Sequence, residues 1–480
     1  MSKKSHSTIR TLLIIALIFA PIPFGSVHVW AYSILNLLVL AAGLVWVAGD
    51  LRGSEFSWVR TPVDGFVLGF FLWVGMQMVP LPLSVMEWVS PQGAAVWQGF
   101  FQTVGWPSGW KPLSLVVHAT RLAWVQGIVF VLVFQLTAQV FGKREYVIRL
   151  TRVLIILGAC LALYGLFENL SGHDHILWWK HQWQRGSFRV CGTFINPDHF
   201  GFYLNLIIPL ALGYIYRARF RPGEEHAARD TRSLFRRMVD VAIEPGAKAQ
   251  KTGLLVFFTA IMMAVCVLTG SRAAVLAMGG SFAVMAGLVW LRTRRRGFAL
   301  LLLGAIALAG IYGAQIGLAP VIQRWQHMEK FQLDRDARWI FWGQGLQMIR
   351  DYPLTGTGLG TTEEVLPAYP PHDKPYHFTD HLHNDWLEIM AETGIPGFCC
   401  VLGGYLALFI FLIQRWRHTS STLTMGITLG VLGALTAAGI HSLLDFSLHM
   451  PANGVTLAAI LGLGVAGSME SRGWRLLHKN

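Results

Sequence analysis

Apolar runs of 18 or more residues recur along the whole chain and limit its possible folds more than any other sequence feature. A helix of about 20 apolar residues can cross the hydrocarbon layer of a membrane. We predict about twelve spans, at residues 10–26, 28–48, 62–82, 119–141, 147–169, 198–216, 252–270, 273–291, 298–318, 386–413, 421–441 and 453–469. Only 14% of the residues are charged, against about 25% in soluble proteins. The sequence therefore predicts an all-α, polytopic integral membrane protein.

The Lys and Arg residues set the predicted orientation in the membrane. With a cytoplasmic N-terminus, about two thirds of the 39 basic residues fall in segments predicted to lie inside. Anionic lipid at that face accounts for most of the net charge of +13, so we expect a membrane-lipid partner and no nucleic acid. Both termini are then cytoplasmic, and we expect the first apolar run to be a retained span. Three segments then become outer loops, namely 83–118, 170–197 and 319–385. The last of them is the longest.

Several arginines lie at this predicted outer boundary. Arg189 precedes a Gly-Thr-Phe sequence, Arg272 occupies a tight turn between two spans, and Arg335 and Arg338 lie in the longest outer loop. A guanidinium group offers a planar fork that fits phosphate oxygens and keeps its charge. These residues are candidates for recognising a phosphate or pyrophosphate, and internal salt bridges are the alternative.

The segment HFTDHLHND, residues 377–385, places three histidines and two aspartates in nine positions of the same loop. His381 and His383 could bind zinc together with Asp380 or Asp385, but the His-Glu-x-x-His pattern of zinc enzymes is absent. In a second interpretation, one histidine is a general base oriented by a carboxylate. A hydrogen-bonded polar loop without catalytic function is the third.

The motifs resemble those of the O-antigen ligase and polymerase superfamily. The matching sequences are G-T-F-x-N-P-x-H-F (192–200), T-G-S-R (269–272), D-x-R-x-x-x-W (336–342), D-Y-P-L-T-G-x-G-L-G (351–360), H-x-H-N-D-x-L-E-x-x-x-E-x-G-I-x-G (381–397) and H-S-L-L-D-F-x-L-H-x-P-A-N (441–453). They occur in this order and span roughly residues 189 to 453. We therefore divide the chain into N-terminal helices (1–188), a ligase- or polymerase-like region (189–470) that includes the outer loop 319–385, and a cytoplasmic tail (471–480).

The resemblance implies a glycosyltransferase of the bacterial inner membrane with a GT-C-like helical architecture. Such enzymes take a glycan from undecaprenyl pyrophosphate at the periplasmic face and transfer it to a sugar acceptor. The acceptor is the lipid A core for a ligase and a lipid-linked repeat unit for a polymerase. The resemblance implies an inverting reaction that needs no metal ion, so we expect no cofactor.

The same resemblance assigns roles to individual residues. His383, followed by Asn384, matches the catalytic base, and Arg272 matches an arginine that binds the pyrophosphate. Arg338, Arg335 and Arg189 are further candidates for that binding. Supporting roles are expected for His381, Asn384, Asp385, His199 and Asp445.

A function of a different class is also compatible with twelve spans. A transporter or flippase of lipid-linked glycans would carry its functional charges near the middle of the bilayer, on helices broken in corresponding halves. Here the candidate residues gather at the predicted outer boundary, and no such halves are evident. The sequence does not distinguish a ligase from a polymerase, and it does not reveal the sugar.

Overall fold

The computed structural model describes residues 3–51, 58–105, 109–172, 175–177, 179–180, 189–219, 247–293, 337–370 and 379–468. Within these residues the helices are α1 (Lys3–Phe19), α2 (Val29–Leu51), α3 (Asp64–Gln77), α4 (Leu83–Val89), α5 (Pro91–Val104), α6 (Val117–Val140), α7 (Arg144–Ser171), α8 (Pro197–Arg219), α9 (Ala247–Leu268), α10 (Arg272–Thr293), α11 (Ala337–Asp351), α12 (Thr362–Val365), α13 (Asp385–His418), α14 (Thr422–His441) and α15 (Pro451–Ser468). Short 3-10 helices occupy Phe24–Ser26, Leu366–Ala368 and Ser447–His449. Two antiparallel hairpins pair Pro80–Leu81 with Lys111–Pro112 and His175–Ile176 with Trp179–Lys180.

Nine of the helices in these ranges are long and apolar enough to cross a membrane, namely α2, α6, α7, α8, α9, α10, α13, α14 and α15. Each coincides with one of the predicted spans. The prediction of an all-α, polytopic membrane protein is therefore confirmed. The predicted span 298–318 and the predicted tail 471–480 lie outside the described residues, and the total of twelve spans stays a prediction.

Two predicted spans differ from the helices that occupy them. Helix α1 ends at Phe19, earlier than predicted, because Pro21 and Pro23 cannot continue a helix. Helix α3 ends at Gln77 after only 14 residues, which is about 21 Å of helix against a hydrocarbon core of about 30 Å. The outer segment 83–118, predicted as a loop, contains the helices α4 and α5.

Helices α8, α14 and α15 form the buried centre of the bundle. In each of them, 89% of the most apolar stretch is buried. The backbones of α8 and α14 come together at glycines: a Cβ on Gly213 would overlap the carbonyl of Gly426, and one on Gly430 would lie 2.8 Å from Leu210. Small residues allow this close packing in a membrane, where lipid is as apolar as the helix surface. The ends of α8 and α14 are thereby held in fixed positions.

Helix α13 is bent at Gly394, where φ is +65°. A Cβ at this position would overlap the carbonyl of Leu354, so the bend requires glycine. Pro396 follows and lacks a backbone N–H, which leaves carbonyl groups of the preceding turn without their helical partners. Trp73 of α3 donates its indole N–H to the carbonyl of Thr393 over 2.7 Å.

The glycine-rich turn after α11 packs into this bend. Its N–H groups at Thr357 and Gly358 donate to the carbonyls of Ala391 and Glu392 over 3.1 and 2.9 Å. The Glu392 carboxylate accepts the N–H of Gly360 over 2.7 Å. Buried polar groups of a membrane protein need such internal partners because lipid offers none. The D-Y-P-L-T-G-x-G-L-G motif therefore has a structural function: it completes the bent helix.

Candidate active site

The candidate site lies at one end of the bundle, where segments distant in the sequence meet. The loop 379–384 precedes α13, and the segment 442–450 connects α14 to α15. The loop is held at its start by Thr379, whose hydroxyl donates to the carbonyl of His381 over 2.9 Å. At its end Asn384 is the N-cap of α13, since its side chain accepts the N–H of Leu387 over 3.0 Å. The predicted supporting role of Asn384 thus corresponds to a cap that positions the preceding histidine.

His383 faces Asp445 from the end of this loop. Its Nδ1 lies 3.3 Å from Oδ1 of Asp445, and its ring stacks on Phe341 at 5.8 Å and meets the edge of Phe446 at 4.7 Å. The φ of His383 is +52°, a left-handed conformation that costs a non-glycine residue about 1–2 kcal/mol. Because Nδ1 is directed at the carboxylate, Nε2 is the nitrogen that remains for proton transfer.

Asp445 is buried among histidines. Its Oδ2 accepts the hydroxyl of Ser447 over 3.0 Å and lies 3.7 Å from Nε2 of His441 and 3.9 Å from Nε2 of His199. Burial alone would raise the pKa of Asp445, but the hydrogen bond of His383 and the nearby His441 and His199 hold that pKa well below its usual range. The carboxylate is therefore ionised and can stabilise a proton on His383.

A second histidine–carboxylate pair lies on the other side of Phe446. Nδ1 of His381 is 2.6 Å from Oε1 of the buried Glu388, and the other oxygen of Glu388 accepts the N–H of Leu382 over 2.8 Å. The His381 ring stacks on Phe446 at 4.4 Å. Burial alone would lower the pKa of His381, but the Glu388 carboxylate outweighs it and raises the pKa to about 9. His381 is thus a cation paired with Glu388 at neutral pH.

Asp385 connects the start of α13 to the end of α14. Its N–H donates to the carbonyl of Ser442 over 2.8 Å, and its Oδ2 accepts the Ser442 hydroxyl over 2.7 Å. Its other oxygen, Oδ1, lies 3.5 Å from Nε2 of His449. These contacts fix the distance between the loop of His383 and the segment of Asp445.

Arg189 and Arg272 lie near the same turn at this end of the bundle. Arg272 is the first residue of α10, directly after the turn Thr269–Ser271. Arg189 donates its Nε–H to the carbonyl of Thr269 over 2.7 Å and forms an ion pair of 2.8 Å with Asp198. The fork of Arg189 is therefore partly engaged within the protein.

Arg338 lies in the first turn of α11, three residues before Phe341. Residues three apart share one face of a helix, and Phe341 stacks on His383. This relation places Arg338 on the helix face that carries Phe341, next to the loop of His383. Arg335, the rival candidate, lies outside the described residues.

The structure thus brings together five of the ten predicted site residues, namely His381, His383, Asp385, His199 and Asp445. Sequence reasoning missed Glu388, His441, Phe446 and His449 as members of the site. Glu388 could have been found as a charged residue in an apolar helix, which is costly unless it is paired. His441 could have been found from its spacing of four residues from Asp445.

The site can perform proton transfer and bind cations. The pair of His383 and Asp445 has the geometry of a general base with its orienting carboxylate. Separately, the ligand atoms of His381, Glu388 and His449 all lie within 4.8 Å of one another, close enough to hold a metal ion.

A family model described as O-antigen ligase matches residues 257–402. The matched region includes the turn at Arg272, the helix α11, the glycine-rich turn and the loop of His383. No curated protein matches the chain. The match indicates a membrane glycosyltransferase of the ligase or polymerase type, which uses a lipid-linked sugar donor and a sugar acceptor. It confirms, over residues 257–402, the resemblance to the O-antigen ligase superfamily that the motifs show.

Proposed function

We propose that this protein transfers a glycan from undecaprenyl pyrophosphate to a sugar hydroxyl at the periplasmic face of the bacterial inner membrane. The observation that carries the proposal is the contact of 3.3 Å between His383 and the buried Asp445, at the end of the bundle where Arg272 also lies. A base, its carboxylate and a fixed cation at one membrane boundary are the groups that this reaction requires.

The orientation is supported by the position of basic residues in the described helices. Arg292, in the last turn of α10, and Arg415 and Arg417, in the last turn of α13, lie at the helix ends opposite to the candidate site. Basic residues concentrate on the cytoplasmic side of inner-membrane proteins. This distribution supports a periplasmic location for the end that carries His383.

In the proposed reaction, Nε2 of His383 accepts the proton of the acceptor hydroxyl. The hydroxyl oxygen forms a bond to the anomeric carbon of the donor sugar, and the bond from that carbon to the pyrophosphate oxygen breaks. The pyrophosphate leaves with the bonding electrons. Attack from the face opposite to the leaving group inverts the anomeric configuration. Asp445 stabilises the imidazolium that forms, as a buried carboxylate does beside a catalytic histidine.

The arginines serve the leaving group in this proposal. Arg272 and Arg338 bind the pyrophosphate and balance the charge that develops on it. Arg189 contributes through the Thr269–Ser271 turn, which it holds by its bond to the carbonyl of Thr269. Guanidinium groups supply this charge without a metal ion at the reacting atoms, and the pyrophosphate bond supplies the driving force. The isoprenoid chain of the donor lies against the lipid-facing helices.

The test is glycan transfer by purified protein in lipid nanodiscs with a labelled lipid-linked glycan. His383→Ala should abolish transfer, while His418→Gln, a substitution at the opposite end of α13, should leave it unchanged. Normal transfer by folded His383→Ala would remove His383 from the mechanism. Adding lipid A core to one set of reactions separates a ligase, which needs it, from a polymerase, which joins repeat units without it.

A second measurement tests the side of the membrane. A single cysteine at position 383, in a chain whose five native cysteines are replaced, should react with an impermeant maleimide added from the periplasm only. Reaction from the cytoplasm would contradict the proposal and favour a transporter or flippase of lipid-linked glycans.

A further inference from the structure

Three potential metal ligands, His381, Glu388 and His449, converge beside the proposed catalytic pair, and a fourth, Asp385, lies next to His449. Nδ1 of His381 lies 2.6 Å from Oε1 of Glu388, and Nε2 of His449 lies 3.4 Å from the same oxygen. Nε2 of His449 also lies 3.5 Å from Oδ1 of Asp385. The four side chains come from three segments: the loop 379–384, the first turn of α13 and the 3-10 helix before α15.

Asp385 contains a buried oxygen that the protein leaves without a hydrogen bond. The residue is 9% exposed, and its Oδ2 is engaged by Ser442, but Oδ1 has no hydrogen-bond partner although it is directed towards His449. A buried carboxylate oxygen without a partner costs folding free energy, because its desolvation is not compensated. A cation bound between Asp385 and His449 would compensate it.

Two spacings in this group match those around a small transition-metal ion. Zinc binds imidazole nitrogen and carboxylate oxygen at about 2.0–2.2 Å, so neighbouring ligands of a tetrahedral site are about 3.4 Å apart. The two distances from His449, 3.4 and 3.5 Å, agree with this value. The pair of His381 and Glu388 is closer because the two atoms share a proton, and it would open by less than 1 Å when a metal replaces that proton.

We infer that His381, Glu388 and His449 form a binding site for a divalent transition-metal ion of the zinc class, with Asp385 as the fourth ligand on the side of His449. Two imidazoles with two carboxylates favour such an ion over calcium or magnesium, which prefer oxygen ligands alone. The two carboxylates balance the charge of the ion. The side chain of His449 is 33% exposed, which provides a path of entry.

This site is separate from the reacting groups of the proposed transferase. None of its four ligands is His383 or Asp445, but two of them, His381 and Asp385, lie on either side of His383 in the chain. A bound ion would join the loop of His383 to the segment 447–449 and hold it in place. Binding can therefore be measured without glycan transfer, and its outcome is independent of the proposed function.

The experiment measures Zn²⁺ and Co²⁺ binding by the full chain, purified in detergent with an affinity tag that contains no histidine and stripped of metal by a chelator. Competition with a chromophoric chelator gives the Zn²⁺ affinity, and the visible absorption of Co²⁺ reports coordination by protein ligands. We expect one tight site per chain. His449→Gln and His381→Gln should each weaken it by about 100-fold or more, whereas His418→Gln should bind as the wild type does.

Thermal unfolding provides the second readout. Zn²⁺ should raise the melting temperature of the wild type and of His418→Gln, because a ligand stabilises the state that binds it. It should not raise that of His449→Gln, whose exposed side chain can be changed without disturbing the core. Equal Zn²⁺ affinity in the wild type and His449→Gln, or a Co²⁺ spectrum that His449→Gln leaves unchanged, would overturn the inference.

Discussion

The substitution Asp445→Asn tests the proposed catalytic pair most directly, because it removes a charge and changes almost no volume. Asp445 approaches Nδ1 of His383 to 3.3 Å, and the His383 side chain is 26% exposed. Two unit charges whose centres are about 4 Å apart interact by about 4 kcal/mol at an effective dielectric constant of 20. Each 1.36 kcal/mol corresponds to roughly tenfold in rate. Loss of this stabilisation of the imidazolium should therefore slow transfer by roughly 10³-fold.

The assay is transfer of the labelled glycan in nanodiscs over a range of donor concentrations. For Asp445→Asn we expect kcat to fall and the KM for the donor to stay within a few-fold, because Asp445 acts through His383 and not on the pyrophosphate. Ser447→Ala removes one hydrogen bond to the ionised Oδ2, worth about 1.5–3 kcal/mol, but leaves the charge of Asp445 in place, so it should slow transfer less than Asp445→Asn does. Folded Asp445→Asn with a rate within tenfold of the wild type would refute the electrostatic reasoning.

The remaining predictions concern the donor site, pH and the bent helix. Arg272→Ala and Arg338→Ala should each lower kcat/KM for the lipid-linked donor by roughly 10²-fold or more. Lysine at either position should recover little of this loss, because a point charge lacks the planar fork of arginine. Full activity of both alanine variants would leave these residues with structural roles only. The folded-state pKa of Asp445 is held below its unfolded value of about 3.9, so its contribution to stability is present above pH 4 and is lost as the pH falls towards the folded value. Melting curves between pH 6 and pH 3 should show a smaller acid-induced loss for Asp445→Asn than for the wild type, and parallel curves would contradict this. Gly394→Ala should reduce the free energy of unfolding by roughly 2–4 kcal/mol through its positive φ and the overlap with the adjacent turn. Gly279→Ala, which adds a methyl group in open space, should be neutral or slightly stabilising, and equal melting temperatures of the two variants would count against the packing argument.

The fold class could be predicted from the sequence because the requirement to cross lipid leaves a strong pattern. Long apolar runs without charge have few alternatives to membrane helices. The sequence therefore predicts that these helices exist, but not the residues at which they end. Phe19 ends α1 where prolines follow, which local rules explain. Gln77 ends α3 shortly before Pro80 and Pro82, again in line with local rules, but its side chain also donates to the carbonyls of Thr355 and Glu392 over 2.7 and 2.9 Å. Such a contact across 278 positions leaves no local signal.

The site could be predicted in part, because residue types indicate the chemistry of a site but do not indicate which side chains form pairs in the fold. His383 and Asp445 were both identified, but only the fold reveals that they face each other. Glu388 and His449 were not predicted as site residues, because each lies in a motif in which another residue, His383 or Asp445, is the more evident candidate. The positive φ of His383 was also not predictable, since it depends on how the loop meets Phe341 and Phe446.

The separation of His383 and Asp445 by 62 positions has a consequence for biosynthesis. In the proposed mechanism, the base and the carboxylate that orients it are separated by two helices, α13 and α14, so a ribosome must synthesise both helices before the two residues can meet. A nascent chain halted after residue 402 would contain the entire matched region and His383, yet it would lack the residue that prepares the imidazole. In the proposed mechanism, glycan transfer can therefore begin only when α13 and α14 have been made and inserted.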